Sequence, residues 1–360
     1  MLSRQAIERA AAVLMRGEAV ILPTDTVPGL FVKESEEGRG KLASIKGRPS
    51  SKPFAVMFGS KKQIAQRITK PNKLQQTAIE RLLPGKVTLI VGKRKTGGMG
   101  VRLPMDTSLR KLIRRTGPLL ATSANISGEE LREPVTLPAR LLKKVALVEE
   151  DVEPSNGFSS FSSPALASTV IDLLGKVPVI LRKGAESIWG IEKKLGNLPR
   201  LTSQLNFNLL FVCGGNTCRS PMAEALFSSL CRKTRLKIKS AGLSAVTDET
   251  AALNAIETMK EMGANLLEHR SRFVDKDILA WADLILVMTR YHLLRIRKDF
   301  PAFSNRAFLL SGFPRSWPYG KSIDDPIGGS LQVYRTTARQ IQRYLTPICP
   351  KIRKVLSDSN

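Results

Sequence analysis

Histidine is the scarcest chemical group in this 360-residue chain, with two, His269 and His292. So few imidazoles argue against a histidine-built zinc centre and against Ser-His-Asp catalysis. Cysteine is nearly as sparse: Cys213, Cys218, Cys231 and Cys349, all in the second half and with no Cys-x-x-Cys pair. That usage fits a reducing, cytoplasmic compartment better than a secreted disulfide framework. Aromatic residues make up 6% of the chain, too few to indicate a broad stacking platform for single-stranded nucleic acid. No uninterrupted apolar run approaches the roughly 18 residues of a membrane span. The N-terminal residues 1–23 are not a transit peptide on this reading, because Ala19-Val-Ile-Leu22 runs straight into a motif-bearing strand and Glu8 and Glu18 interrupt the basic face. A Walker A loop is also missing, since Gly38-Arg-Gly-Lys41 is followed by Leu42 rather than Ser or Thr. Acidic residues are short as well, 31 against 57 Lys and Arg, for a net charge of +26. A field of that sign favours nucleotides, phosphorylated proteins or tRNA, although a general basic bias would produce it too.

The chemistry that is present is concentrated at Asn208 to Leu226. The apolar run Leu209–Val212 predicts a buried strand ending at Cys213, and Ser220-Pro221 followed by Ala223, Glu224, Ala225 and Leu226 predicts a helix start. Between them Gly214, Gly215 and Asn216 tolerate positive φ. Such a turn lets successive backbone N–H groups converge, and the next helix points its positive end at the same place. Cys213 and Arg219 then stand in C-x5-R spacing, with Thr217, Cys218 and Ser220 completing the loop. A thiol so placed is expected to have a lowered pKa, and a guanidinium forks onto two phosphoryl oxygens. The expected reaction is phosphoryl transfer to sulfur followed by hydrolysis; the plainer reading is a structural cysteine beside a surface arginine.

These residues, with Ser240-Ala-Gly242, His269-Arg-Ser-Arg272, Ala282–Thr289 and Asp324-Asp-Pro-Ile-Gly-Gly-Ser330, resemble the low-molecular-weight protein tyrosine/arginine phosphatases. The resemblance implies Cys213 as nucleophile, Arg219 as phosphate ligand and Asp325, the residue before proline, as general acid. It also places Thr217 beside the leaving group, where tyrosine-selective members carry Ile and arginine-selective members Thr. Ile327, Gly328 and Gly329 supply none of the aromatic residues that the eukaryotic tyrosine phosphatases have there. The bacterial arginine phosphatases tend to have Phe where Ile327 stands. The resemblance therefore implies a protein-arginine phosphatase, with a protein-tyrosine phosphatase as the alternative.

In the first half, Ala6, Ile7, Ala10, Ala11 and Leu14 predict an amphipathic packing helix over Ser3–Arg16, ended by Gly17. A series of short strands follows, each ending in small polar or basic residues: Ala19–Gly29, Pro84–Val91, Val101–Pro104, Leu119–Gly128, Ser168–Asp172 and Val179–Gly184. Strand ends of this kind line one ligand cleft. Lys46, Arg48 and Lys52 around a constrained turn suit a polyphosphate clamp, or simply a solvated basic turn. In order and spacing the series resembles the threonylcarbamoyl-AMP synthases of tRNA threonylcarbamoyladenosine formation. The resemblance implies ATP with Mg²⁺, L-threonine and bicarbonate as ligands and no permanently bound cofactor. It places Thr26 at the threonine, Lys46, Arg48 and Lys52 at the phosphates, and Arg102, Ser123, Asn125, Ser168 and Arg182 at the remaining contacts. The chain departs from that family at Pro28, where Tyr is usual and which removes an N–H and an aromatic wall, and at Asp106, in the region where His is usual and which is expected to change the charge near the substrate.

The expected architecture is α/β throughout: an N-terminal twisted mixed sheet with helices and an open cleft, and a C-terminal doubly wound four-stranded parallel sheet. Expected boundaries are 1–194 for the synthase-like domain, 195–206 for a linker rich in Gly, Pro and Asn, 207–346 for the phosphatase domain and 347–360 for a frayed basic tail. The expected partners are a phosphorylated protein and tRNA or tRNA-modifying proteins, with no membrane. A rival reading makes the first half a nucleotide- or tRNA-binding module without catalysis.

Overall fold

The computed structural model describes residues 2–49, 53–93, 97–124, 143–148, 166–314 and 320–357. Two expected site residues, Lys52 and Asn125, lie outside them. The chain divides into two compact units, Met1–Ser187 with Ile191–Pro199, and Ile188–Gly190 with Arg200–Asn360. Among the described residues no helix is long and apolar enough to cross a membrane.

In the first unit the opening helix spans Arg4–Met15, with Ser3 as its cap accepting from the Ala6 N–H at 3.1 Å. Its buried face, Ala6, Ala10, Ala11 and Leu14, packs with Leu109, Leu112 and Ile113 of the helix Thr107–Thr116 and with Val20, Leu22 and Phe31 of the sheet. Each large aliphatic side chain removed from water there contributes about 1.5–3 kcal/mol. The strands are β1 Val20–Leu22, β2 Gly29–Lys33, β3 Ala55–Met57, β4 Val87–Lys93, β5 Gly97–Arg102, β6 Leu119–Ser123, β7 Leu147–Val148, β8 Thr169–Asp172 and β9 Val179–Arg182. They lie in the order β9-β8-β4-β5-β3-β6-β2-β1-β7. Pairing is mixed: β1·β2, β2·β6, β3·β6, β4·β5 and β8·β9 are antiparallel, whereas β1·β7, β3·β5 and β4·β8 are parallel. Alternation along the strands separates two faces. Val56, Leu89, Val101, Leu120 and Ile171 are buried on one side. Ala55, Met57, Ile90, Gly98, Gly100, Ala121 and Val170 line a cleft of about 440 Å³ on the other. The floor is open because its side chains are small; a Cβ on Gly98 would strike Ile90 Cγ2 at 2.4 Å.

The second unit begins with a short strand, β10 Arg200–Leu201, and holds β11 Phe207–Cys213, β12 Leu236–Gly242, β13 Leu284–Val287 and β14 Ala307–Leu309. The last four form one sheet in the order β12-β11-β13-β14, every pair parallel. β11 is buried along its whole length, which is why Leu209–Cys213 reads as an unbroken apolar run rather than an alternating one. The chain leaves β11 toward β12 on one side and later returns to β13 on the other. The C-terminal end of β11 is therefore the switch point at which open α/β sheets bind ligands, and Cys213 occupies it.

Through residue 357 the stretch expected as a frayed tail is ordered. Ile348–Val355 is a helix that buries Ile348, Cys349, Ile352 and Val355, an i, i+1, i+4, i+7 stripe, while Lys351, Arg353 and Lys354 supply the basic character. Cys349 is bonded to Cys231, with 5.5 Å between their Cα atoms. The sequence, read as fitting a reducing compartment rather than a disulfide framework, did not show this pairing, because two cysteines 118 residues apart in sequence are brought together only by packing. The stretch expected as linker carries the end of the helix Ile188–Leu195 and then β10.

Candidate active sites

The second unit builds an anion cradle around Cys213. Asn216 takes φ +57, a conformation Asn tolerates, and this turns its N–H onto Cys213 Sγ at 3.2 Å. Ser220 Oγ lies 3.0 Å from the same sulfur. The loop is braced from behind by the Asn216 side chain, whose Nδ2 donates to Ser220 Oγ and Ser240 Oγ, each at 2.9 Å, and whose Oδ1 accepts from the Arg272 N–H at 2.9 Å. His269 Nε2 donates to the Asn216 carbonyl at 2.7 Å; burial lowers its pKa, so the ring is neutral and the carbonyl fixes its tautomer. Gly242 makes this packing possible, because a Cβ there would stand 2.4 Å from the Gly214 carbonyl oxygen. His292, behind the loop near Gly214, is pushed down to about 4 by burial and by Arg219.

Arg219 opens the helix Arg219–Leu230 and is buried. Its Nη1 donates to the Ile323 carbonyl at 3.0 Å and its Nη2 pairs with Asp325. Its Nε has no hydrogen-bond partner among the described residues. An oriented, buried N–H without an acceptor is what an anion site looks like before the anion arrives. Asp325 is joined to this cradle from 106 residues away. Burial raises the Cys218 thiol, whose Sγ lies 3.3 Å from Tyr334 Oη. The Thr217 carbonyl accepts from the Ala252 N–H at 2.9 Å. The structure thus gathers Cys213, Gly214, Gly215, Asn216, Thr217, Cys218, Arg219, Ser220 and Asp325 in one place.

In the first unit the cleft receives Arg48, Arg102, Ser123, Ser168 and Arg182 directly. Lys46 and Thr26 stand behind its wall. Lys46 Nζ donates to the Ser123 carbonyl at 3.0 Å, and its pKa is lowered to about 8 by burial and by Arg48. Arg102 Nη2 donates to Thr26 Oγ1 and to Asp25 Oδ1, both at 2.6 Å. Burial depresses the Arg102 pKa while Asp25 supports it. Arg182 donates to the Ser168 carbonyl and hydroxyl at 2.8 and 3.1 Å, and its pKa is lowered by burial and by Arg102. Arg102, which is buried, and Arg182, which is exposed, therefore face one cleft whose lining holds no carboxylate among the described residues, an excess of positive charge that an anionic ligand would neutralise.

Sequence reasoning overlooked Asp25 and Phe54. Asp25 holds Arg102 with one oxygen and the Met105 N–H with the other, at 2.9 Å; its signal was the acidic residue inside Pro23-Thr-Asp-Thr26. Phe54 lies under the Arg48 guanidinium at 3.9 Å. Asp106 does not alter the charge of the cleft as expected. It caps the helix Thr107–Thr116 by accepting from the Leu109 N–H at 2.8 Å. Pro28 contributes its carbonyl to the Ala124 N–H at 2.8 Å and is absent from the cleft lining, which uses Val27 and Gly29 instead. For Mg²⁺, no group of three or more His, Cys, Asp or Glu side chains suited to a metal occurs among the described residues. The residues present do not fit a protein-built metal site.

Comparison with known proteins divides the chain at the same place. Residues 12–184 match the profile of the Sua5/YciO/YrdC family, described as telomere recombination, and residues 208–357 that of low molecular weight phosphotyrosine protein phosphatase. A protein-arginine-phosphatase of Bacillus subtilis is 34% identical over 41% of this chain and 97% of its own. A low molecular weight protein-tyrosine-phosphatase of Acinetobacter johnsonii is also 34% identical, over 38% of this chain and 90% of its own. A Mycobacterium leprae protein assigned as a threonylcarbamoyl-AMP synthase is 30% identical over 54% of this chain and 89% of its own. The chain belongs to two families at once, with a Sua5/YciO/YrdC domain followed by a low-molecular-weight phosphatase domain.

Proposed function

We propose that the chain is a bifunctional enzyme: an L-threonylcarbamoyl-AMP synthase serving tRNA modification, and a cysteine-dependent protein phosphatase that prefers phosphoarginine. The phosphatase reading is carried by the convergence of Cys213, the Asn216 N–H, Arg219 and Asp325 on one cradle. Cys213 attacks phosphorus as a thiolate, forming an S–P bond while the bond to the leaving nitrogen or oxygen breaks. Backbone N–H groups and Arg219 hold the equatorial oxygens as charge develops on them. Asp325 gives its proton to the leaving group, then takes one from the water that cleaves the S–P bond. Percent identity alone does not separate the two specificities, since an arginine-phosphatase and a tyrosine-phosphatase relative are each 34% identical. Thr217 favours phosphoarginine because a hydroxyl at the rim hydrogen-bonds a guanidinium, whereas Ile would pack against a phenyl ring.

The synthase reading rests on the cleft and its cations. Arg48, Arg102 and Arg182, backed by Lys46, neutralise a triphosphate and the threonine carboxylate, while Thr26, Ser123 and Ser168 supply hydroxyls. The threonine amine and bicarbonate condense to a carbamate with loss of water, a carbamate oxygen attacks the α-phosphorus, and the bond to pyrophosphate breaks. Lys52 and Asn125 belong to the same proposed contact set, the domain limits stay at 1–194 and 207–346, and the compartment is cytoplasmic. Mg²⁺ would arrive on the phosphates of ATP and take its ligands from them; tRNA is the downstream partner. Pyrophosphate release that requires both threonine and bicarbonate tests the first activity, and kcat/KM on phosphoarginine against phosphotyrosine peptides tests the second. A protein that binds ATP but releases no pyrophosphate would leave the first domain a nucleotide-binding module.

A further inference from the structure

A second groove, of about 410 Å³, lies in the phosphatase unit away from the Cys213 loop and is lined by Arg232, Lys233, Lys237, Lys239 and Trp281. It runs along the first half of β12, the edge strand of the four-stranded sheet. In the β11·β12 register Leu236 faces Phe207 and Gly242 faces Cys213. At about 3.3 Å per residue the groove therefore lies roughly 10–20 Å from the nucleophile, toward the opposite end of the sheet. Nothing in the phosphatase chemistry uses it.

Its lining contains no carboxylate, and none of its four cations forms an ion pair among the described residues, although Glu224 lies near enough to Lys239 to feel its charge. Lys237 and Lys239 share a face of the strand by period-two alternation, about 6.6 Å apart along it, a spacing comparable with that of successive phosphates on a nucleic-acid strand. Lys239 Nζ sits 4.6 Å over the Trp281 ring, a cation–π contact that brings a charge and a half-buried indole together at the groove. The neighbouring Arg235 is already committed to the Thr202 and Leu205 carbonyls, which separates structural from available cations. An acidic peptide would satisfy the charges but has no use for the indole. A single strand of nucleic acid uses both, with phosphates on the cations and a base against the ring. The chain as a whole is poor in aromatic residues, and the fold places one of its few tryptophans where the cations gather.

We propose that this groove is a docking site for single-stranded nucleic acid, separate from both active sites. Anisotropy of a fluorescein-labelled RNA of about 12 nucleotides, titrated with the full-length chain over a range of salt, tests it. Four phosphate contacts give a slope of log K against log salt near about −2.8. The double variant Lys237→Glu/Lys239→Glu should lose at least tenfold in affinity and about half of that slope, while hydrolysis of p-nitrophenyl phosphate stays at the wild-type rate. Trp281→Leu should weaken binding severalfold with the slope unchanged. Equal loss from Lys298→Glu, on the exposed helix Arg290–Asp299, would show that binding follows overall charge and would overturn the proposal. So would polyglutamate competing as well as RNA, which would mark an acidic protein partner instead.

Discussion

Asp325→Asn separates the two roles the structure gives this carboxylate. As general acid it protonates the leaving group, a contribution of about 10²- to 10⁴-fold in kcat. As partner of Arg219 it competes with the incoming phosphate for the same guanidinium. The Asp325 side chain is 46% exposed, so the pair has the strength of a solvated one, about 0.2–1 kcal/mol, and removing it should lower KM by about 1.4- to 5-fold. The expected signature is a fall in kcat together with a fall in KM. The kcat loss should be larger for a phosphotyrosine peptide than for p-nitrophenyl phosphate, whose phenolate leaves with little help. Steady-state kinetics on both substrates provide the assay. Equal losses on the two substrates would refute the general-acid role and leave Asp325 a structural partner of Arg219.

Lys46→Ala and Arg182→Ala, made separately, should each abolish pyrophosphate formation with the fold intact by circular dichroism; wild-type rates would remove both residues from the synthase site. Lys46, held at about 8, is neutral in the free protein above that pH, and a bound triphosphate would restore its charge. Nucleotide binding should therefore take up protons, and affinity should fall as pH rises from about 8 toward 10.5; calorimetry at about pH 8.5 in buffers of different ionisation enthalpy checks this, and heats independent of buffer would contradict it. Thr217→Ile should shift the ratio of kcat/KM from phosphoarginine toward phosphotyrosine peptides, and an unchanged ratio would discard the hydroxyl argument. Thiol titration of the unreduced, denatured protein should find two reactive cysteines, Cys213 and Cys218, rather than four, given the Cys231 to Cys349 bond.

The phosphate loop was legible because its parts are contiguous: a buried strand, three residues able to turn sharply and a helix start lie within about 20 positions. The strand-end motifs of the first domain were legible for a related reason, since each carries its polar residue at the point where a sheet exposes it. Distant pairings left no such mark. Asp25 and Arg102 stand 77 residues apart, and no local pattern says which carboxylate will support which buried guanidinium. Asp106 looked like a charge near substrate, yet its position just before Thr107 makes it a helix cap, a role its own neighbours could have suggested. The C-terminal helix was hidden by composition: Lys351, Arg353 and Lys354 dominate a count, whereas Ile348, Ile352 and Val355 set the structure.

The central claim, that two independent chemistries reside in one chain, can be tested in one sample by phosphorus NMR. The full-length protein is mixed with ATP, L-threonine, bicarbonate and a phosphoarginine peptide, and pyrophosphate and inorganic phosphate are followed together. Both should appear in the wild type, Lys46→Ala should lose only pyrophosphate, and Cys213→Ser should lose only peptide dephosphorylation. Absence of pyrophosphate in the wild type, or peptide dephosphorylation that survives Cys213→Ser, would contradict the account.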